Sequence, residues 1–136
     1  MDLLYTLAQT DQIAAKLVKK YAAKPVWVFK APMGAGKTTL ITAIGKALGI
    51  QQAMSSPTFS IMNEYEVNGK LIYHMDWYRL DSEAEARQAG VEAAMDEADL
   101  SLVEWPEKAP NLVPDDAVVL NIEILDPNQR RIFVSS

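Results

Sequence analysis

"FKAPMGAGKTTLITAIGKALG", Phe29 to Gly49, is the stretch on which the reading of the fold turns. The residues running into it, Pro25 and then "VWVF", are β-branched and aromatic and read as a buried strand. Those running out of it place Leu40, Ile41, Ile44, Ala47 and Leu48 on one helical face, with Gly49 suited to end the helix. A glycine-rich loop therefore lies between a strand and a helix. Successive N–H groups from Gly34 through Ala35, Gly36 and Lys37 to Thr38 can converge there on an anion. The helix N-terminus adds partial positive charge. Gly34 and Gly36 let the backbone come close to a ligand. The Lys37 ammonium can reach β- and γ-phosphates, the Thr38 hydroxyl can ligate Mg²⁺, and Thr39 stands next in line for the α-phosphate.

The loop pattern is a small residue, four of any kind, then Gly-Lys-Thr. Ala31 stands where the usual first residue is glycine. One methyl is tolerable there if φ is negative, because this position closes the strand-to-loop turn. About one chain in a hundred of this length would match by composition alone. The flanking strand and helix are the context that separates a working loop from such an accident.

Around this centre the chain reads as a single α/β domain over residues 1–136. Thr10 is positioned to cap a first helix carrying Ile13, Leu17 and Tyr21 on one face. "FSIMNEYEV" and "KLIYHMD" flank Asn68-Gly69, the pair that a tight hairpin turn requires. "DSEAEARQAGVEAAMDEA" reads as helix broken near Gly90, "LSLVEW" as a short buried strand, and "AVVLNIEIL" with "RRIFV" as a closing antiparallel pair. The expected architecture is a mixed sheet flanked by helices, parallel around the glycine loop with antiparallel strands at one side.

Composition narrows the chemistry. No cysteine is present, which excludes disulfides and thiol catalysis, and a lone histidine excludes a histidine-rich metal site. The net charge of −5 is unsuited to gripping nucleic acid, so DNA is not an expected ligand and RNA would be reached only through a partner. No apolar run approaches a membrane span and the N-terminus lacks a signal-peptide pattern, so a cytoplasmic protein is expected.

A nucleotide's magnesium needs carboxylate support at a strand end. Asp76, closing "LIYHM", and Glu104, closing "LSLV", are the two candidates, although either could be an ordinary edge acid. Thr58 in "SPTF" could touch the γ-phosphate or merely cap a turn. No Asn-Lys-x-Asp string is present to read guanine, which favours ATP. No arginine-bearing lid segment is evident, which disfavours a small-metabolite phosphotransferase. A nucleotide-dependent switch with negligible turnover stays open, as does, more remotely, a structural protein with a chance motif.

"GAGKTT", "SPTF", "HMDWYRL" and "VEWPEK", in this order and at these intervals, closely resemble the TsaE family, from Thr10 to the final strand. The family consists of small bacterial ATPases required for threonylcarbamoyladenosine modification of tRNA. The resemblance implies a three-layer P-loop NTPase-like fold, ATP and Mg²⁺ as ligands, and ATP hydrolysis; the acidic surface and the missing arginine finger lead us to expect that turnover is weak until a partner completes the site. The resemblance implies TsaD and TsaB as partners, with the ATPase resetting their threonylcarbamoyl-transfer complex and meeting tRNA only indirectly. On the matching positions it implies Lys37 as the loop lysine and Thr38 as the magnesium hydroxyl. It places Thr58 in a switch-like block and sets Asp76 and Glu104 as the site acids, Glu104 nearer the metal. Trp105 adjoins the nucleotide and Thr10 falls near the adenine. It does not separate the roles of His74, Tyr78 and Arg79, for which packing, interface or ion-pair roles are equally natural.

Overall fold

The computed structural model describes residues 1–52, 54, 57 and 61–135. Its strands are β1 (Asp2–Thr6), β2 (Val26–Lys30), β3 (Met62–Val67), β4 (Lys70–Asp76), β5 (Leu100–Glu104), β6 (Val118–Ile124) and β7 (Gln129–Ser135). Its α-helices are α1 (Thr10–Tyr21), α2 (Lys37–Leu48), α3 (Glu83–Gln88) and α4 (Val91–Glu97). The strands form one seven-stranded sheet in the order β1-β7-β6-β2-β5-β4-β3.

Strands β6, β2, β5 and β4 are mutually parallel, which is why β2 and β5 read as unbroken apolar runs: both of their faces are covered. Antiparallel pairing is not confined to one side as the sequence suggested. β7 and β1 extend one flank and β3 closes the other. The difference comes from the strand order, which sets the β3–β4 hairpin and the β6–β7 pair on opposite flanks of β2 and β5. The five residues of β1 alternate too weakly in burial to announce a strand. They form one because β7 supplies a partner over the whole length.

Alternation along β2 sends side chains to two cores. Trp27 and Phe29 join Ile13, Leu17, Leu40, Ile41 and Ile44 beneath α1 and α2. Val26 and Val28 join Trp77, Ala86, Val91 and Met95 beneath α3 and α4. The result is three layers. Each fully buried aliphatic or aromatic side chain contributes about 1.5–3 kcal/mol relative to exposure, so the two clusters outweigh any surface pair.

Several local expectations are corrected. Ala47 is exposed and Leu48 half-buried, and Ala43 and Gly45 take the inner positions of α2 instead. Gly45 lies against Met54, and a Cβ there would collide with the Met54 sulfur. Thr10 is not the cap of α1. It is already helical (φ −56°, ψ −43°) and its hydroxyl donates to the Leu7 carbonyl at 2.7 Å. The chain enters α1 through a short 3₁₀ turn, in which the Gln9 side chain accepts from the Thr6 N–H at 2.9 Å. Asn68 and Gly69 both have positive φ (51° and 79°), as the hairpin turn requires, and Gly90 at φ 82° separates α3 from α4.

Candidate functional site

The glycine loop leaves β2 at the carboxyl end of the parallel strands. It does so where the chain's later strands are added on opposite sides of β2, β5 on one and β6 on the other. Open α/β sheets carry their clefts at such a point. A cleft of about 420 Å³ lies there, lined by Met33, Gly34, Gly36, Lys37, Thr38, Thr39, Asp76, Tyr78, Glu104 and Trp105.

Gly34 and Gly36 adopt φ of 80° and 87°, which a side chain would strain. Nothing lies within 4 Å of a Cβ added to either, so backbone conformation and not crowding demands glycine in this structure. Ala31 has no positive φ and packs on the α1–α2 core, and its methyl is accommodated without strain. Gly36 caps α2, so Lys37 is the helix's first residue and Thr38 its second.

Lys37 is the least expected group. It is 7% exposed, and its Nζ has no hydrogen-bond partner among the described residues. The ammonium sits 3.8 Å from the centre of the Trp105 ring. Burial pulls its pKa below the usual lysine value, and Glu104, Glu107 and Asp76 oppose that shift. A buried cation without a hydrogen bond at a helix N-terminus suits an anion. Trp105 reaches it through a left-handed backbone (φ 59°), uncommon for a bulky residue, with Pro106 turning the chain away. Tyr78 packs at a tilt against the same indole, with ring centres 5.0 Å apart, and is 48% exposed, so it rims the cleft and is not a core residue.

Asp76 and Glu104 are register neighbours at the ends of β4 and β5, and both line the cleft. Their environments differ. Asp76 is half-buried and accepts from the Tyr78 N–H at 3.0 Å. Glu104 is 3% exposed and its Oε2 lies 2.8 Å from His74 Nε2. His74 is itself buried, and its Nδ1 has no hydrogen-bond partner among the described residues. No group of three or more His, Cys, Asp and Glu side chains suited to a metal occurs among the described residues. The oxygen set here, the Thr38 hydroxyl with two carboxylates, suits a hard cation that keeps waters and phosphate oxygens as its other ligands.

Two expected residues stand apart from the cleft. Ala35 turns its side chain into the core, and its N–H donates to the Pro32 carbonyl at 3.2 Å. Thr10 is buried with its hydroxyl committed to Leu7. Its neighbour Asp11 instead lines a smaller depression of about 240 Å³ with Thr38, Thr39, Thr42, Ala43 and Lys46. Thr58 lies outside the described residues. The sequence reading passed over Met33 and Arg130 and left His74 without a role. His74 was recoverable: it sits two residues before Asp76, on the same strand face, once β4 and β5 are known to pair.

A family model described as "Threonylcarbamoyl adenosine biosynthesis protein TsaE" matches residues 4–132. Proteins named tRNA threonylcarbamoyladenosine biosynthesis protein TsaE are similar across most of the chain. That of Haemophilus influenzae is 34% identical over 116 residues, which is 85% of this chain and 73% of the relative. That of Rickettsia felis is 32% identical over 131 residues, 96% and 76% respectively. That of Bacillus subtilis is 33% identical over 120 residues, 87% and 74%. Among solved structures, "Crystal structure of Bacillus subtilus YdiB" superposes with a TM-score of 0.77 at 24% identity, covering 98% of this chain and 83% of that one. The superposition establishes the shared α/β fold.

Proposed function

The chain belongs to the TsaE family, and from that premise we propose that it is a Mg²⁺-dependent ATPase acting in tRNA threonylcarbamoyladenosine biosynthesis. Its ATP hydrolysis serves a partner complex of TsaD and TsaB, which performs the threonylcarbamoyl transfer, and tRNA is met only through that complex. The observation that carries the ATP reading is Lys37: a buried ammonium without a hydrogen bond, at the start of α2, in a cleft closed opposite by two carboxylates.

The reaction is in-line attack of water on the γ-phosphorus. A P–O bond to water forms as the bond to the ADP oxygen breaks, and the products are ADP, inorganic phosphate and a proton. A bound Mg²⁺ would supply charge neutralisation to the phosphoryl oxygens. Lys37 offsets the same charge from the loop side, where low exposure strengthens its field. The N–H groups of Gly34, Gly36, Lys37 and Thr38 hold the phosphate oxygens, and Thr39 stands at the α-phosphate. The Thr38 hydroxyl and Glu104 would hold the cation, and Asp76 would orient water beside it. Thr58 is proposed at the γ-phosphate on the strength of the family pattern alone. Trp105 and Tyr78 shield the cleft mouth, and Trp105 releases Lys37 to the phosphates. Among the described residues no arginine lines the cleft, which supports slow turnover until a partner docks. The chain carries no helix long and apolar enough to cross a membrane among its described residues, consistent with work beside a tRNA-modifying complex in the cytoplasm.

Phosphate release with and without TsaD and TsaB tests this reading. Slow release alone, accelerated by the pair, is expected. Glu104→Gln is expected to keep MgATP binding within a few-fold and to lower kcat at least about a hundredfold, as loss of a preorganised charge at the reacting centre does. Equal turnover by wild type and Glu104→Gln would remove Glu104 from the chemistry. An isolated chain as fast as the complex would remove the partner dependence.

A further inference from the structure

We infer that Arg130 is a positioning residue that sets the orientation of the phosphate loop from behind. Arg130 is the second residue of β7 and comes 95 residues after the loop it meets. It is only 6% exposed. Its Nε donates to the Ala35 carbonyl at 3.0 Å, and its Nη1 donates to the carbonyls of Asp126 at 2.7 Å and Gln129 at 3.0 Å. All three acceptors are neutral, and none of the ion pairs among the described residues includes it. A buried guanidinium with no carboxylate is a costly way to fill space, and an apolar side chain would fill it better.

What the guanidinium offers is geometry. Its planar fork ties the turn between β6 and β7 to one carbonyl of the loop. In a trans peptide the C=O of one residue and the N–H of the next point in opposite directions. No cis peptide occurs among the described residues. Arg130 does not line the cleft, and Gly36 does. Holding the Ala35 carbonyl on the outer side therefore turns the Gly36 N–H toward the inner one. Ala35 lies between two glycines at positive φ, the positions at which a peptide plane flips most readily. Its methyl, buried to 1% exposure, supplies the second anchor.

This inference rests on the nucleotide reading above, and its test separates the two. MgATP binding is measured by calorimetry on wild type, Arg130→Lys and Arg130→Met, with thermal unfolding of each in the absence of nucleotide. Arg130→Lys keeps the charge and loses the Nε donor and the planar fork. It is expected to bind MgATP at least about tenfold more weakly, the loss typical of a charged hydrogen bond. Arg130→Met is expected to lose at least as much. The loss should fall on KM more than on kcat, because the brace acts on a cradle used in ground and transition states alike. Folded variants that bind within twofold of wild type would overturn the inference while leaving the nucleotide reading intact. A wild type that binds no MgATP would overturn the reading itself. Should neither variant fold, the wild-type Arg130 Nε–H resonance decides. A slowly exchanging signal that shifts with MgATP supports the brace, and one in fast exchange or unmoved by MgATP refutes it.

Discussion

Replacing His74 by alanine exposes how much the buried pair at the back of the cleft contributes. His74 and Glu104 side chains are 1% and 4% exposed and lie 2.8 Å apart. Removing one member leaves Glu104 in the interior without its hydrogen bond, a change that costs about 1–3 kcal/mol. At an unfolding entropy of about 2.1 cal/mol/K per residue, this chain of 136 residues loses about 4–10 °C in Tm. Thermal unfolding in the absence of nucleotide measures it. A double-mutant cycle gives the sharper result. His74→Leu and Glu104→Leu each strand a polar group, whereas the double variant strands none, so its cost should fall short of the sum by at least about 1.5 kcal/mol. His74→Gln, which can still donate from its amide, should recover part of both stability and kcat. Additivity within about 0.5 kcal/mol would refute the pairing.

Lys37→Met should abolish measurable MgATP binding in calorimetry yet leave Tm unchanged or raised, because it removes an unpartnered buried ammonium and keeps the stem. A fall in Tm beyond about 3 °C, near 1 kcal/mol for a chain of this size, would show that the Trp105 contact outweighs desolvation. The sign with pH follows from the lowered pKa. Between the folded value and the ordinary 10.5, the unfolded chain holds the extra proton, so stability rises with pH through that window. Urea unfolding across that range should show the rise in wild type and a flatter curve in Lys37→Met. Gly36→Ala imposes a left-handed backbone on alanine, costing about 1–2 kcal/mol, while its Cβ meets no protein atom within 4 Å. Its MgATP affinity should fall more than its stability does, and an undiminished affinity would place the phosphates elsewhere.

The parts of the fold that were legible in the sequence are those set by local rules. The strand–loop–helix unit, the Asn68-Gly69 turn and the break at Gly90 each depend on residues next to one another, and backbone sterics alone specify them. β1 was hidden because pairing with β7, not its own pattern, makes it a strand. Lys37, Thr38, Asp76, Glu104 and Trp105 meet at the cleft because Lys37 and Thr38 open the helix after β2, Asp76 and Glu104 end β4 and β5, and Trp105 follows β5. Ala35 and Thr10 do not meet it, since a core contact in one case and a hydroxyl bonded to the preceding turn in the other could not be read from spacing. Arg130 was invisible for a stronger reason. Its partner is a backbone carbonyl, which has no letter in a sequence, and only the strand order β7-β6-β2 brings the two together.

The polar groups around the cleft share one energetic character. Lys37 Nζ and His74 Nδ1 are buried without hydrogen-bond partners, Arg130 is buried against neutral carbonyls, and Trp105 holds a left-handed backbone. The unsatisfied Lys37 Nζ and His74 Nδ1 and the strained Trp105 each cost the fold about 1–3 kcal/mol. A fold selected only to be stable would replace them with apolar side chains at little loss of packing. Lys37 in the cleft and Arg130 behind the phosphate loop meet that loop from two sides, which suits an anion site, while Trp77 Nε1 in the core beneath α3 and α4 and Ser101 Oγ on β5 are buried without hydrogen-bond partners away from it. Binding a triphosphate would then recover through Lys37 and the loop N–H groups what folding alone leaves unmade. Nucleotide should therefore raise the stability of wild type far more than that of Lys37→Met.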